Sequence, residues 1–286
     1  MAANTSSETL GSVYIADPLN GRERHPLYQS VRELVGQYSV TGHVLDIGCS
    51  DGVATLGLED KVVFGLDIDS SALMAAKQRN PNYLGIQGDI RHLPLNRQTV
   101  GEVDTVLLLD ILEHESFGDT AGFLRELHGM LRPDHTLIAS MPIISPLSID
   151  TWSETMLALR NRRRPETGLL DRTHQILTNR HGHLNLFKQA GYSVVEEYQT
   201  NHIESVSGDW QWKRDNPGFG EDLDGWIESF KLSDKSHDAA VFMYKSLAKF
   251  YKRSHHGHPT AAKLSEALVA YQGIYVLKPD QSAANH

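Results

Sequence analysis

The stretch VLDIGCSDG, Val44 to Gly52, decides how this chain is read. Val44, Leu45 and Ile47, around the single acid Asp46, form a short apolar run of the kind that makes a buried strand. The run opens into a turn with glycines at Gly48 and Gly52 and the small or polar Cys49, Ser50 and Asp51 between them. Glycine admits backbone angles closed to other residues and lets a ligand approach the main chain. The segment Val53 to Leu58 is expected to be helical, with its first N–H groups facing the turn, which makes a pocket for an anion or a nucleotide-like ligand. Taken alone, a glycine turn after a strand is also ordinary loop punctuation. The dinucleotide fingerprint requires glycine at its first, third and sixth positions. Counted from Gly48, the latter two are Ser50 and Val53, so that fingerprint fails. A P-loop fails as well, because no lysine followed by serine or threonine closes the turn.

The chain beyond the turn repeats one pattern. KVVFGLDID, Lys61 to Asp69, is a second apolar run, and its Asp67 lies 19 residues beyond Gly48. An acid about 20 residues past a glycine turn, at the tip of the next strand, suits a ribose diol. YLGIQGD ends at Asp89 and VDTVLLLD at Asp110. Any one of these acids could be a solvated strand end or a helix cap. The ordered series instead lines carboxylates along one edge of a sheet, where open α/β sheets bind ligands. HTLIASMP, His135 to Pro142, predicts a fifth strand, Tyr192 to Tyr198 a sixth and Gly273 to Lys278 a seventh. Helices are expected over Pro26 to Tyr38, Ser70 to Arg79 with Ser70 as cap, Asp119 to Leu131 and His183 to Gly191. Alternation of strand and helix implies a mainly parallel sheet.

These segments, from about His43 to Pro142, resemble the class I S-adenosylmethionine-dependent methyltransferases. The family's acid-glycine motif matches Asp46, Gly48 and Gly52, with Cys49 inside the turn; its middle glycine is Ser50 here. The resemblance implies that Asp67 holds the ribose and Ile68 touches the adenine. It further implies that Asp89 bonds the adenine amino group, that Ile90 offers a backbone N–H to the ring, and that Asp110 borders the methionyl part. The implied fold is α/β: a Rossmann-like seven-stranded, mostly parallel sheet with helices on both faces, strand seven antiparallel beside strand five, and helical insertions after strands 5 and 6.

Within 286 residues this reads as a flexible segment over 1–25, then a single domain over 26–286 with lid or substrate insertions at about 143–180 and 201–260. The first insertion carries the arginine run Arg160, Arg162, Arg163 and Arg164. The second carries Trp210, Trp212 and Trp226. A solvated helix face and an insertion core account for these as well as a substrate anchor and an acceptor pocket do.

Composition removes several classes of function. A net charge of −9 argues against extended contact with nucleic acid phosphate. One cysteine, Cys49, excludes an internal disulfide framework and a cysteine-held zinc or iron–sulfur cluster. There is no HxxxH pair on an apolar helix, so no metal is expected. No apolar stretch approaches the ~20 residues of a membrane span. The first ten residues, MAANTSSETL, lack the charged and apolar regions of a signal peptide, which makes the cytoplasm the default compartment.

The implied chemistry is an in-line transfer of a sulfonium methyl group to an oxygen, nitrogen or carbon of a small-molecule acceptor, with S-adenosyl-L-methionine as cofactor. An acceptor hydroxyl or protonated amine must lose a proton, and histidine is suited to take it near neutrality. His174, in AspArgThrHis with Asp171 to orient it, is the expected base; His114, after the fourth strand, is the second candidate. Each could equally be a capping or packing histidine. The competing readings are modification of a macromolecule (protein or tRNA), and a scaffold that binds the cofactor without turnover.

Overall fold

The computed structural model describes residues 26–145, 174–176, 178–201 and 270–280. The 1–25 segment, the insertion residues 146–173 and 202–269, and with them Asp171, the arginine run and the three tryptophans, lie outside the described residues.

The first helix, α1, is Pro26–Tyr38, as its apolar spacing predicts. The strands follow as β1 His43–Ile47, β2 Val62–Asp67, β3 Tyr83–Gln87, β4 Thr105–Leu109, β5 Thr136–Pro142, β6 Tyr192–Asn201 and β7 Ala270–Pro279. Between them stand α2 Ser70–Arg79, the short α3 Arg97–Val100, α4 Phe117–Met130 and α5 Arg180–Gln189. All seven strands form one sheet in the order β3-β2-β1-β4-β5-β7-β6. The five strands from β3 to β5 run parallel, and β7 is antiparallel to both β5 and β6. Strand seven beside strand five is thus the arrangement found.

Alternation along the strands feeds two cores. Leu45, Ile47, Val106, Leu108, Leu137, Ala139, Tyr275 and Leu277 pack with Leu124 and Leu127 of α4 and Leu186 and Phe187 of α5. Their neighbours Val44, Val63, Leu107, Ile138, Ile274 and Val276 pack with Val31, Leu34 and Val35 of α1 and Leu73 and Ala76 of α2. A two-residue side-chain period in a sheet covered on both sides requires this division.

The helices α4 and α5 begin earlier than expected, at Phe117 and Arg180, and two further local expectations change near the first glycine turn and α2. Val53 to Leu58 does not form a helix; a single 3-10 turn spans Val53–Thr55. Gly52 at φ 73° and Gly57 at φ 90° bracket it, and left-handed residues at both ends leave no length for a helix to nucleate. The helix-terminus argument for an anion pocket therefore does not apply at the turn. The cap of α2 is Asp69, whose Oδ1 accepts from Ser71 N at 2.8 Å, rather than Ser70.

Candidate functional site

The parallel strands β1, β2 and β4 end side by side, so Gly48, Asp67 and Asp110 share one edge of the sheet. Asp67 ties that edge together. Its Oδ2 accepts from Ser50 N at 2.8 Å and its Oδ1 from Asp69 N at 2.9 Å. The backbone adds bonds from Gly48 N and Cys49 N to Leu66 O, at 2.8 and 3.2 Å. The turn itself is tightly wound: Gly48, Ser50 and Gly52 lie at φ 71°, 46° and 73°. Ser50 occupies the one position where the sequence departs from the glycine pattern, in a region that L side chains rarely adopt. A Cβ added to Gly48 would clash with Ile111 Cδ1, so the chain leaving β4 rests directly on the turn.

Asp46 is 2% exposed, and burial, with Asp67 nearby as a second negative charge, pushes its carboxyl up to about 7. Beside it, burial holds the thiol of Cys49 and the phenol of Tyr83 well above their ordinary values. Ile68, at the tip of β2, is 48% exposed and presents an apolar face to solvent next to Asp67. Asp89 is engaged: Arg91 donates to both of its oxygens, with Nη2 at 2.5 Å, and this partner holds its carboxyl below the ordinary value. Ile90 follows it, half-buried against the core under α4 and α5.

Asp110 takes a left-handed φ of 52° and joins three strands. Its Oδ1 accepts from Ser140 Oγ at 2.7 Å and Gln272 Nε2 at 2.6 Å, and its N–H donates to Ser140 Oγ at 3.1 Å. Sequence reasoning missed Ser140 and Gln272, and it also missed Asp51. The Asp51 side chain is fully buried and pairs with Arg79 Nη1 at 2.6 Å, fastening the turn to the end of α2. No sequence signal marks such pairs, because their members come from different elements.

The chain after β4 makes a 3-10 turn over Leu112–His114. The segment around His174 returns to it: Gln175 N and Ile176 N donate to Glu113 O at 2.6 and 3.0 Å, and Gln175 Nε2 donates to His114 O at 2.7 Å. The rings of His114 and His174 lie 5.0 Å apart between centroids, with their planes at 66°. The structure thus brings together the two histidines singled out in sequence, beside the edge that carries Gly48 and Asp110. Glu113, 1% exposed, joins them.

Residues 45–139 match the family described as a methyltransferase domain. A curated relative from Danio rerio, named arginine-hydroxylase NDUFAF5, mitochondrial, is 27% identical over 210 residues, covering 71% of this chain and 61% of that protein. The match therefore spans less than two thirds of the relative's length. Among solved structures, phosphoethanolamine N-methyltransferase 2 of Haemonchus contortus, in complex with S-adenosyl-L-methionine, superposes with a TM-score of 0.54 at 15% identity, over 88% of this chain and 52% of that one. YcgJ protein from Bacillus subtilis superposes with a TM-score of 0.50 at 14% identity, over 88% of this chain and 99% of that one. At these identities the superpositions speak for the fold.

Proposed function

We propose that this chain, whose residues 45–139 match a methyltransferase domain, binds S-adenosyl-L-methionine at the β1–β2–β4 edge and transfers the methyl group to an oxygen, nitrogen or carbon of a small-molecule acceptor. The observation that carries this reading is the lock between Asp67 and the glycine turn at Ser50. It sets a carboxylate with unused acceptor capacity beside the half-buried backbone of Gly48 and Ser50 and the apolar face of Ile68, which suits a ribose and a flat base together. In this reading Asp67 takes the ribose hydroxyls and Ile68 lies against the adenine. Asp89 and Ile90 address the ring edge. Asp46, Gly48, Cys49, Ser50, Gly52 and Asp110 surround the methionyl part. The His114–His174 pair marks the acceptor side, where the proton must leave, with Asp171 as the orienting partner of His174. Catalysis is mainly alignment of nucleophile, methyl carbon and sulfur.

The proposed compartment is the cytoplasm. No helix of the described residues is long and apolar enough to cross a membrane, and cell fractionation tests the location directly, since the relative is named mitochondrial.

Calorimetry with S-adenosylmethionine, S-adenosylhomocysteine and NAD tests the cofactor. Binding of the first two is expected; tight NAD binding with no response to the others overturns the proposal. A second reading, hydroxylation, has the relative's name in its favour. Isotope labels separate the two: the cofactor's methyl label reaches the product in one case, and label from dioxygen in the other.

A further inference from the structure

We propose that Glu113, His114 and His174 bind a divalent first-row transition cation on the acceptor side of the cofactor. The inference departs from the metal-free expectation of the sequence, and its catalytic meaning rests on the methyltransferase reading above.

Three observations carry it. One ligand atom from each residue lies within 4.8 Å of the other two. Metal–ligand bonds of about 2.0–2.2 Å place ligand atoms roughly 3–4 Å apart, so the cluster closes on an ion with shifts on the order of 1 Å. The scaffold is built before any ion arrives: Glu113 and His114 are consecutive in one 3-10 turn, and three hydrogen bonds from Gln175 and Ile176 hold the His174 segment against that turn. Both histidine rings remain partly open to solvent, which gives an ion its entry path.

Two imidazoles and one carboxylate favour zinc, cobalt, nickel, iron or manganese over magnesium and calcium, which prefer oxygen donors. Three protein ligands leave positions for a water or an oxygen of the acceptor. A hydroxyl bound there has its pKa lowered, so its proton passes to solvent. Its oxygen lone pair then forms the bond to the methyl carbon, and the carbon–sulfur pair stays on sulfur. In the loaded site His174 gives its lone pair to the cation and is a ligand rather than the general base.

The test uses the full chain, freed of metal and titrated with Zn2+ by calorimetry and with Co2+ by visible absorption. A control variant, His255→Ala/His256→Ala/His258→Ala, removes the histidine-rich run that could bind ions adventitiously. One high-affinity ion per chain is expected in wild type and control alike. In His114→Ala/His174→Ala the affinity falls by at least about a hundredfold, since even supporting partners of metal ligands are worth 10–100-fold. His174→Ala alone, at a partly exposed position, guards against misfolding of the double variant and loses at least about tenfold. S-adenosylhomocysteine affinity stays within about twofold throughout, because no cofactor ligand is touched. Absence of binding in wild type, or equal affinity in the double variant, overturns the cation site. A chain that takes zinc in this manner yet fails to bind S-adenosylhomocysteine sinks the methyltransferase reading and leaves the cation site standing.

Discussion

Replacing Asp67 by alanine tests the architecture of the proposed cofactor edge, because one carboxylate serves two purposes there. Two of its acceptor positions already hold Ser50 N and Asp69 N, at 2.8 and 2.9 Å. A carboxylate offers about four, which leaves roughly two for the ribose hydroxyls. Hydrogen bonds to a charged group contribute about 1.5–3 kcal/mol net, but Asp67 is only half-buried and both amides can recover water. The loss of the two internal bonds should therefore cost about 1–3 kcal/mol of stability, and the melting temperature should fall by roughly 3–10 °C for a domain of this size. The turn does not collapse, since Gly48 N and Cys49 N still bond Leu66 O. Loss of the ribose contacts should weaken S-adenosylhomocysteine by about ten- to a hundredfold. A 2′-deoxy analogue of the same ligand separates direct from indirect loss in a double-mutant cycle. Wild type should discriminate against the analogue and Asp67→Ala should not. Equal discrimination by both proteins would show that Asp67 never touches the ribose. An unchanged melting temperature would refute the assignment of Asp67 as the lock on the turn.

Three further outcomes are expected. Ser50→Gly relieves a left-handed side-chain residue at φ 46° and should raise stability by up to about 1 kcal/mol, as read by denaturant unfolding; a loss would mean that the serine side chain has a role of its own. Asp46 is held up to about 7 from an ordinary 3.8, so the native state keeps a proton that the unfolded chain releases. Its contribution to stability falls as pH rises from about 4 to about 7, by at most about 4 kcal/mol, and Asp46→Asn should be the more stable protein above pH 7. His135 and His183 have the opposite sign. Burial lowers both from 6.5 to about 4, so the unfolded chain binds protons the native state refuses, and stability falls as pH drops through that window by up to about 3 kcal/mol per histidine. His183→Gln, which can still serve the Tyr275 hydroxyl, should lose its share of this acid sensitivity; an identical pH profile would contradict the assignment.

The elements that sequence anticipates best are those whose cause is local. The run of α1 is bounded as predicted, and β2, β3 and β4 are found where apolar runs lead into Asp67, Asp89 and Asp110. Errors fall where a cap or a left-handed residue decides. The glycines at 52 and 57 stop a helix after one turn, Ser116 starts α4 two residues early by accepting from Asp119 N, and Asn179 starts α5 at Arg180 by accepting from Gly182 N. At the candidate site the ordered acids were legible, but their partners were not. Arg79 reaches Asp51, and Ser140 and Gln272 reach Asp110, only because strands distant in sequence lie side by side. The same holds for Glu113, His114 and His174, which no short-range spacing rule could join.

The order of strands across the sheet also bears on how the protein is made. A chain leaves the ribosome from its N-terminus, and domains assemble as their parts emerge. By the time Asn201 is out, β1 to β5 can pair, yet β6 has no neighbour and the outer edge of β5 is bare. Residues 202–269 must still be synthesised before the strand that belongs between them arrives. Through that interval the nascent sheet offers an open edge, the feature that invites pairing with other chains and draws chaperones. When β7 inserts, Ile274, Tyr275, Val276 and Leu277 close both cores at once. A premature stop within residues 202–269 therefore costs the newborn protein two strands rather than one: β7, which is never made, and β6, whose neighbour in the sheet is β7.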